Sequence, residues 1–361
     1  GDEAGTAITT GDANTALGFS ALYTNSTGIR NSGVGYGALY TNSTGTQNTG
    51  LGYFSLFANT TASNNTAVGY QSLFDNTTGA SNVAVGMEAL ANNTTASNNT
   101  AVGYQAGLNV TTGTLNTLIG GLAGDALTVA YNNVALGYNT LSTATISSRN
   151  TAIGTSALAT HNLSSAGNGY NTAVGYDAGI SVTTGTNNTL IGGLAGDAIT
   201  TQSNITAVGN TALTANTSGQ RGTAVGSAAL AGNTTGDYNT AVGFTALQAN
   251  TTASNNTAVG YASLGANDTG TNNTAVGSSA LTANTTGTHN DAHGYNALLQ
   301  NTTGTHNTSI GSSSGDGVIT GTNNCFVGHY ARAGSGGGTN NANVIGYNVS
   351  GETNYTTLGS G

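Results

Sequence analysis

Proline and tryptophan are absent from this 361-residue chain, its four basic residues are all arginine, and cysteine and methionine occur once each. Each absence excludes something. Without proline, no backbone N–H is missing from a hydrogen-bonded ladder, which is the condition a continuously paired coil requires. The single cysteine, Cys325, rules out an intrachain disulfide framework. Four arginines against thirteen acids give a net charge of −9, with only 5 % of residues charged. No cationic surface is left to gather phosphates, so nucleic acid is excluded as a partner. No apolar run reaches the length of about eighteen residues that a spanning helix needs, so membrane insertion is not expected. Neither a Ser-His-Asp set nor a carboxylate pair stands out from the pattern described next, so neither enzyme activity nor a cofactor is expected. The chain opens on Gly1 rather than Met, as expected of a piece processed from a longer precursor.

What the chain does contain is one short sentence repeated. Asn65-Thr66-Ala67-Val68-Gly69-Tyr70 returns in near copies whose glycines stand seventeen residues apart: Gly18, Gly35, Gly52, Gly69 and onward to Gly154, then Gly175 to Gly328, then Gly346 and Gly359. A fixed period of this kind marks a solenoid, in which each unit is too small to own a core and must stack on its neighbours. Ala, Val, Leu and Ile spread evenly among Thr, Asn and Gly are the composition of a chain that folds in this way, not of a disordered one.

Counting from the asparagine, the fourth residue is aliphatic in almost every unit, and Val34, Val68, Val85, Val102, Ile119, Val242, Val259 and Val276 form the expected inward core ladder. The second residue, mostly Thr, shares that strand face, with Ala and Gly on the other. The sixth is often aromatic, so Tyr36, Tyr53, Tyr70, Tyr104 and Tyr261 belong to a discontinuous aromatic ladder. Ala-Leu at the eighth and ninth positions is expected on a short second strand. Asn-Thr-Thr-Gly closes the unit as a turn, because Asn can bond the backbone two residues on. First-position asparagines such as Asn14, Asn31 and Asn48 mark the other corner, where identical amides can bond along the column. The predicted fold is therefore all-β: a parallel β-solenoid (β-roll or β-helix) of about twenty coils, stacked about 4.8 Å apart into an elongated rod.

Two classes of unit are visible. In Tyr104-Gln105-Ala106-Gly107 and Tyr176-Asp177-Ala178-Gly179 the ninth-position Leu is replaced by Gly. Both are followed by matching tails, which points to whole-block duplication. Four extra residues near 161–170 are expected in a surface loop. The organisation predicted is an end segment or first partial coil over 1–13, one solenoid domain over 14–346, and a degenerate coil and end segment over 347–361.

At Asn65-Thr66-Ala67-Val68-Gly69-Tyr70 and its copies, from Asn14 to about Gly346, the chain resembles the Asn-Ser-Val-Ala-Ile-Gly type repeats in the head domains of trimeric autotransporter adhesins. It is also similar to repeats in some bacterial and phage tail-fibre proteins. The resemblance implies a parallel β-roll on a cell surface or fibre, engaged in adhesion. Two functional expectations follow. One is a structural subunit of an extracellular filament, assembling head to tail through open solenoid edges. The other is a homotrimeric head that binds a glycan or host surface.

Three further sets of residues carry candidate chemistry. Asn25, Asn42, Asn59, Asn76, Asn93, Asn216, Asn233, Asn250, Asn267, Asn284 and Asn301 stand in Asn-x-Ser/Thr sequons at a turn corner, where N-glycosylation acceptors belong; the plain alternative is that they are turn residues. His289 and His306 stand one repeat apart and are weak candidates for sharing a metal ion, against the plain reading of exposed corners. Ice binding would need the Thr ladder to face outward, and sharing a face with Val and Leu predicts the opposite.

Overall fold

A computed structural model describes residues 1–334 and 336–359. Among these the chain is all-β, with no helix, and forms a parallel β-solenoid whose turns recur about every seventeen residues. It divides into two compact units, Gly1–Thr186 and Asn187–Gly361.

Each coil contributes one three-residue strand, such as Thr66–Val68, Val83–Val85 or Thr100–Val102 in the first unit and Thr206–Val208 or Thr223–Val225 in the second. Like residues pair with like: Ala67 with Ala84 and Val68 with Val85 in the first unit, Thr206 with Thr223 and Val208 with Val225 in the second. The rest of the coil is not strand, and the expected second strand over Ala-Leu is not formed. Among the described residues, extra pairing is found at Ser147–Ser148 with Gly167–Asn168 and at Arg332–Ala333 with Ser350–Gly351. Backbone bonding to the neighbouring coils nevertheless continues around the turn, through Leu73 N to Ala89 O at 3.0 Å and Asp75 N to Ala91 O at 2.9 Å. Buried polar backbone is thus satisfied without strand geometry.

The turns depend on unusual backbone. In the coil Asn65 to Ser81, Gln71, Leu73 and Ser81 all have left-handed φ of 52°, 50° and 60°. A non-glycine residue pays roughly 1–2 kcal/mol for that conformation. Leu73 and its counterparts Leu22, Leu39, Leu56 and Leu90 offset it by being fully buried. At Gly69, with φ 134°, an added Cβ would lie 2.5 Å from the Gly86 carbonyl oxygen. Coils pass too closely there for any side chain.

The core differs from the sequence expectation in one respect that reorders the surface. It is the third-position alanine that points inward: Ala67, Ala84, Ala101, Ala224, Ala241 and Ala258 are fully buried. The residues expected as the core ladder, Val34, Val68, Val85, Val102, Ile119, Val242, Val259 and Val276, lie instead on the outward strand face, with Val242, Val259 and Val276 each 36 % exposed. Space explains the reversal. A Cβ added at Gly33, a third-position residue, would already stand 3.3 Å from Leu22 Cγ, so the buried ninth-position leucine leaves room for a methyl and little more. Where the third residue is itself Leu, at Leu118 and Leu190, neighbouring ninth positions are glycine: added Cβ atoms at Gly107 and Gly196 would sit 2.6 Å from Leu118 Cδ1 and 2.9 Å from Leu190 Cδ2. The same coils replace the twelfth-position Asn by Val110, Leu127, Val182 or Ile199, all buried. The two classes of unit are two ways of filling one volume.

Residues 1–13 lie against the first full coil, with Gly5 N bonded to Ala21 O at 2.9 Å and Thr9 N to Ser26 O at 3.1 Å. The insertion exposes residues 164–166 as expected of a loop, yet buries His161.

Candidate functional site

Three arrangements were candidates for function, and the structure treats each differently. The asparagine columns come first, because they hold the corners on which every surface residue is mounted. First-position Asn31 accepts the backbone N–H of Asn48 on Oδ1 at 3.0 Å and donates from Nδ2 to Gly45 O at 2.8 Å. Twelfth-position Asn42 donates to the same Gly45 carbonyl at 3.1 Å and to Asn25 Oδ1 at 2.8 Å. The expected column of amides therefore exists, and a second runs beside it.

That second column consists of the sequon asparagines. Asn25, Asn42, Asn59, Asn76, Asn93, Asn216, Asn233, Asn250, Asn267, Asn284 and Asn301 are all buried, with Nδ2 pointing into the coil. In Asn59, for example, both Nδ2 hydrogens are engaged, to Asn42 Oδ1 at 2.8 Å and Ala62 O at 3.1 Å. Nδ2 is the atom a glycan would occupy, so the folded chain presents none of them as an acceptor. The reading of an exposed corner is corrected: the following Thr reaches the surface and the Asn does not.

His161 takes the twelfth position in its coil, standing where other coils have Asn or an aliphatic residue. Its Nε2 is 2.8 Å from Ser147 Oγ, and burial pushes its pKa down to about 4. His289 and His306 are exposed and stack with ring centroids 4.8 Å apart and parallel planes. No group of three or more His, Cys, Asp or Glu able to hold a metal occurs among the described residues. His293, at an aliphatic ladder position, is not a core histidine: it faces outward with Asp291, its Nε2 2.9 Å from Asp291 Oδ1.

The outward strand face is the most regular surface. In the second unit Thr189, Thr206, Thr223, Thr240, Thr257 and Thr274 line up on consecutive strands beside Ile191, Val208, Val225, Val242, Val259 and Val276. The first unit repeats this with Thr49, Thr66, Thr100, Thr117 and Thr151, interrupted by Val83 and Val134. Along these stretches no charged residue enters the face until Asp291.

The aromatic ladder is present and broken, as its spacing predicts. Phe19, Tyr36, Tyr53 and Tyr70 stack at 5.2, 5.3 and 5.4 Å. Tyr104 stands between Met87 and Gly121, outside that stack, and Tyr261 stacks on Phe244 at 5.8 Å. A parallel column, Tyr23, Tyr40, Phe57 and Phe74, stacks at 5.1, 5.1 and 5.3 Å; its seventeen-residue spacing is as plain in the sequence as the first column's. Phe54 stands between the two columns, its ring lying over the side-chain-free Gly37, and a cleft of about 300 Å³ lined by Glu3, Phe19, Ser20, Tyr36, Tyr40, Phe54 and Phe57 opens beside it.

No protein-family model and no curated protein matches the chain.

Proposed function

We propose that the chain is a non-enzymatic structural module of an extracellular surface fibre, serving adhesion, whose copies associate side by side through the Thr–aliphatic face. The observation that carries this reading is that face itself. Columns of Leu, Ile and Val that a monomer would bury stand in the open, with Leu136 41 % and Ile310 47 % exposed. A contiguous apolar stripe of this extent marks an association surface, and a chain with so little charge has little else to keep copies apart. The end-to-end mode rests on the terminal strands: Thr15–Leu17 pairs with Ser32–Val34 and Thr356–Leu358 with Asn343–Ile345, and neither has a second strand partner among the described residues. Light scattering and electron microscopy test the proposal. Discrete particles with the mass of two or three chains are expected. The double variant Val242→Asp/Val259→Asp should shift them to single-chain mass while keeping the β circular dichroism signal. Uniform filaments untouched by that variant would replace lateral by end-to-end assembly, and a single-chain wild type would end the reading.

A second reading is favoured by one observation. The threonines face outward after all, so the objection raised from sequence to an ice-binding surface falls. A regular array of hydroxyls and methyls at about 4.8 Å along the stack is the geometry that reading needs. Thermal hysteresis in dilute solution would support it, and freezing and melting at one temperature would remove it. The two readings exclude each other on any one face, since a face buried between copies cannot meet ice.

A further inference from the structure

Burial removes the twelfth-position sequons as acceptors, but the repeat carries a second set. Asn64-Asn65-Thr66, Asn98-Asn99-Thr100, Asn204-Ile205-Thr206 and Asn255-Asn256-Thr257 also read Asn-x-Thr, with the acceptor one residue before the motif begins. Here the acceptor looks out. Asn64, Asn98, Asn204 and Asn255 are exposed, and none of the four side chains is hydrogen-bonded among the described residues. The hydroxyl each sequon needs stands two residues on, at the half-buried Thr66, Thr100, Thr206 or Thr257 of the outward strand face. The middle residue pins the corner: Asn65 accepts the Asn82 N–H on Oδ1 at 2.9 Å and donates from Nδ2 to Gly79 O at 2.9 Å. The coil is therefore held at Asn65, and the Asn64 amide has no part in it.

The position tolerates bulk. Asn64, Asn98, Asn204 and Asn255 have left-handed φ of 63°, 60°, 60° and 62°, and the same place in other coils takes Arg30, Gln47, Leu115 and Tyr238 at 57°, 58°, 60° and 56°. Asparagine's ease in that conformation accounts for its frequency here, but it uses the backbone alone and leaves the amide open to reaction. Asn187 and Asn272 carry the same motif one coil away from Asn204 and Asn255. At about 4.8 Å between coils, a sugar on one amide covers its neighbour. Asn272 is the poorer acceptor of its pair, since its Nδ2 already donates to Thr271 Oγ1 at 3.2 Å.

We propose that Asn64, Asn98, Asn204 and Asn255 are N-glycosylation acceptors. The transfer joins Nδ2 to the anomeric carbon of a sugar activated as a nucleotide or lipid phosphate. The bond from that carbon to the phosphate oxygen breaks, the phosphate leaves with the electron pair, and the amide gives up one proton. The test is secretion of the full chain from yeast behind a cleavable signal, with one appended linear sequon as a reference for transferase activity. Peptide-N-glycosidase in heavy-oxygen water then marks each occupied Asn as heavy Asp for peptide mass spectrometry. Marks are expected at all four residues, with the occupancies of Asn204 and Asn187, and of Asn255 and Asn272, each summing to no more than one. The buried twelfth-position asparagines should be bare. So should Asn132, a control within the chain, which is exposed with φ 56° but is followed by Asn133-Val134 and has no hydroxyl. Thr66→Val should erase the mark at Asn64 alone with an unchanged circular dichroism spectrum, since the paired strand already has Val83 in that place. A folded, secreted chain whose reference sequon is marked while these four stay bare would overturn the proposal. So would marks at Asn59 or Asn76 in the folded fraction, or a mark at Asn64 that survives Thr66→Val. Peptide mapping reads the same in any state of assembly, so lateral association can fail without touching this result.

Discussion

Asn93 donates to Asn76 Oδ1 at 2.6 Å and to Ala96 O at 3.1 Å, yet its own Oδ1 has no partner. Asn301 shows the same: bonded to Asn284 Oδ1 and Gly304 O, with Oδ1 unpaired. The cause lies one coil on, where the column continues as Val110 or Val318 and no amide follows. A buried acceptor left alone costs about 1–3 kcal/mol. His161, in the same column, makes the position sensitive to pH. It titrates near 6.5 when unfolded and at about 4 when folded, so between these values the unfolded chain binds more protons. The stability of this coil should be full above pH 6.5 and fall as pH drops toward 4, by about 3 kcal/mol at most. Hydrogen exchange of the amides around residues 158–171, compared at pH 7 and pH 4.5, measures this. His161→Asn should flatten the difference, and a fall unchanged in that variant would assign it to the carboxylates instead.

At the scale of the coil, the two classes of unit are two solutions to one packing problem. Leu90 fills the core of its coil and Asn93 closes the corner; the next coil has Gly107 and Val110 in those places. Leu90→Gly alone should cost about 3–5 kcal/mol through the cavity it opens, and Asn93→Val alone about 1–3 kcal/mol through crowding against Leu90. The double variant converts the coil to its neighbour's class and should recover at least about 2 kcal/mol of the summed loss. A double-mutant cycle in denaturant measures that coupling, and additive losses would show that the two positions do not share a volume. The exchange was half legible in the sequence. Glycine at Gly107 and Gly179 stands out from the leucines of other units, but what takes the freed space, Leu118 of the next coil together with Val110 at Gly107, is recognised only once the coils are stacked.

At the scale of each unit, period and parallel register could be read from the recurring glycines, because only a stack of identical coils puts like residues beside like. Which face of Thr66–Val68 turns inward could not. Alternation says that Thr66 and Val68 share a face, and the habit of placing aliphatic residues inside then assigns it wrongly. What decides is the volume left by the ninth-position leucine of the preceding coil, as Leu22 leaves it beside Gly33 and Leu39 beside Gly50, a contact between residues far apart along the strand pattern. The sequons failed for a related reason: Asn-x-Thr reads the same whether its Asn looks out or in, and only the Gly79 carbonyl, 2.9 Å from Asn76 Nδ2, shows that it looks in. This reversal is also what gives the strand face an apolar surface for lateral association. Had the valines been core, the strand face would present alanine and glycine, with little to hold two copies together.

The sequon column has a direction. Every amide in it that follows another donates toward the preceding coil, as from Asn42 to Asn25, from Asn250 to Asn233 and from Asn284 to Asn267, while Asn25 and Asn216, which open their runs, donate only to Gly28 O and Gly219 O. A coil inserted within such a run receives one bond and gives one, so growth by whole copies leaves no new unpaired atom. A vacant acceptor arises only where the run stops, as at Asn93 and Asn301. Lineages of this chain are therefore free to change length by duplicating blocks of like coils, while each additional switch from the asparagine class to the aliphatic class adds an unsatisfied oxygen. The cost in stability therefore rises with the number of transitions and not with the number of coils.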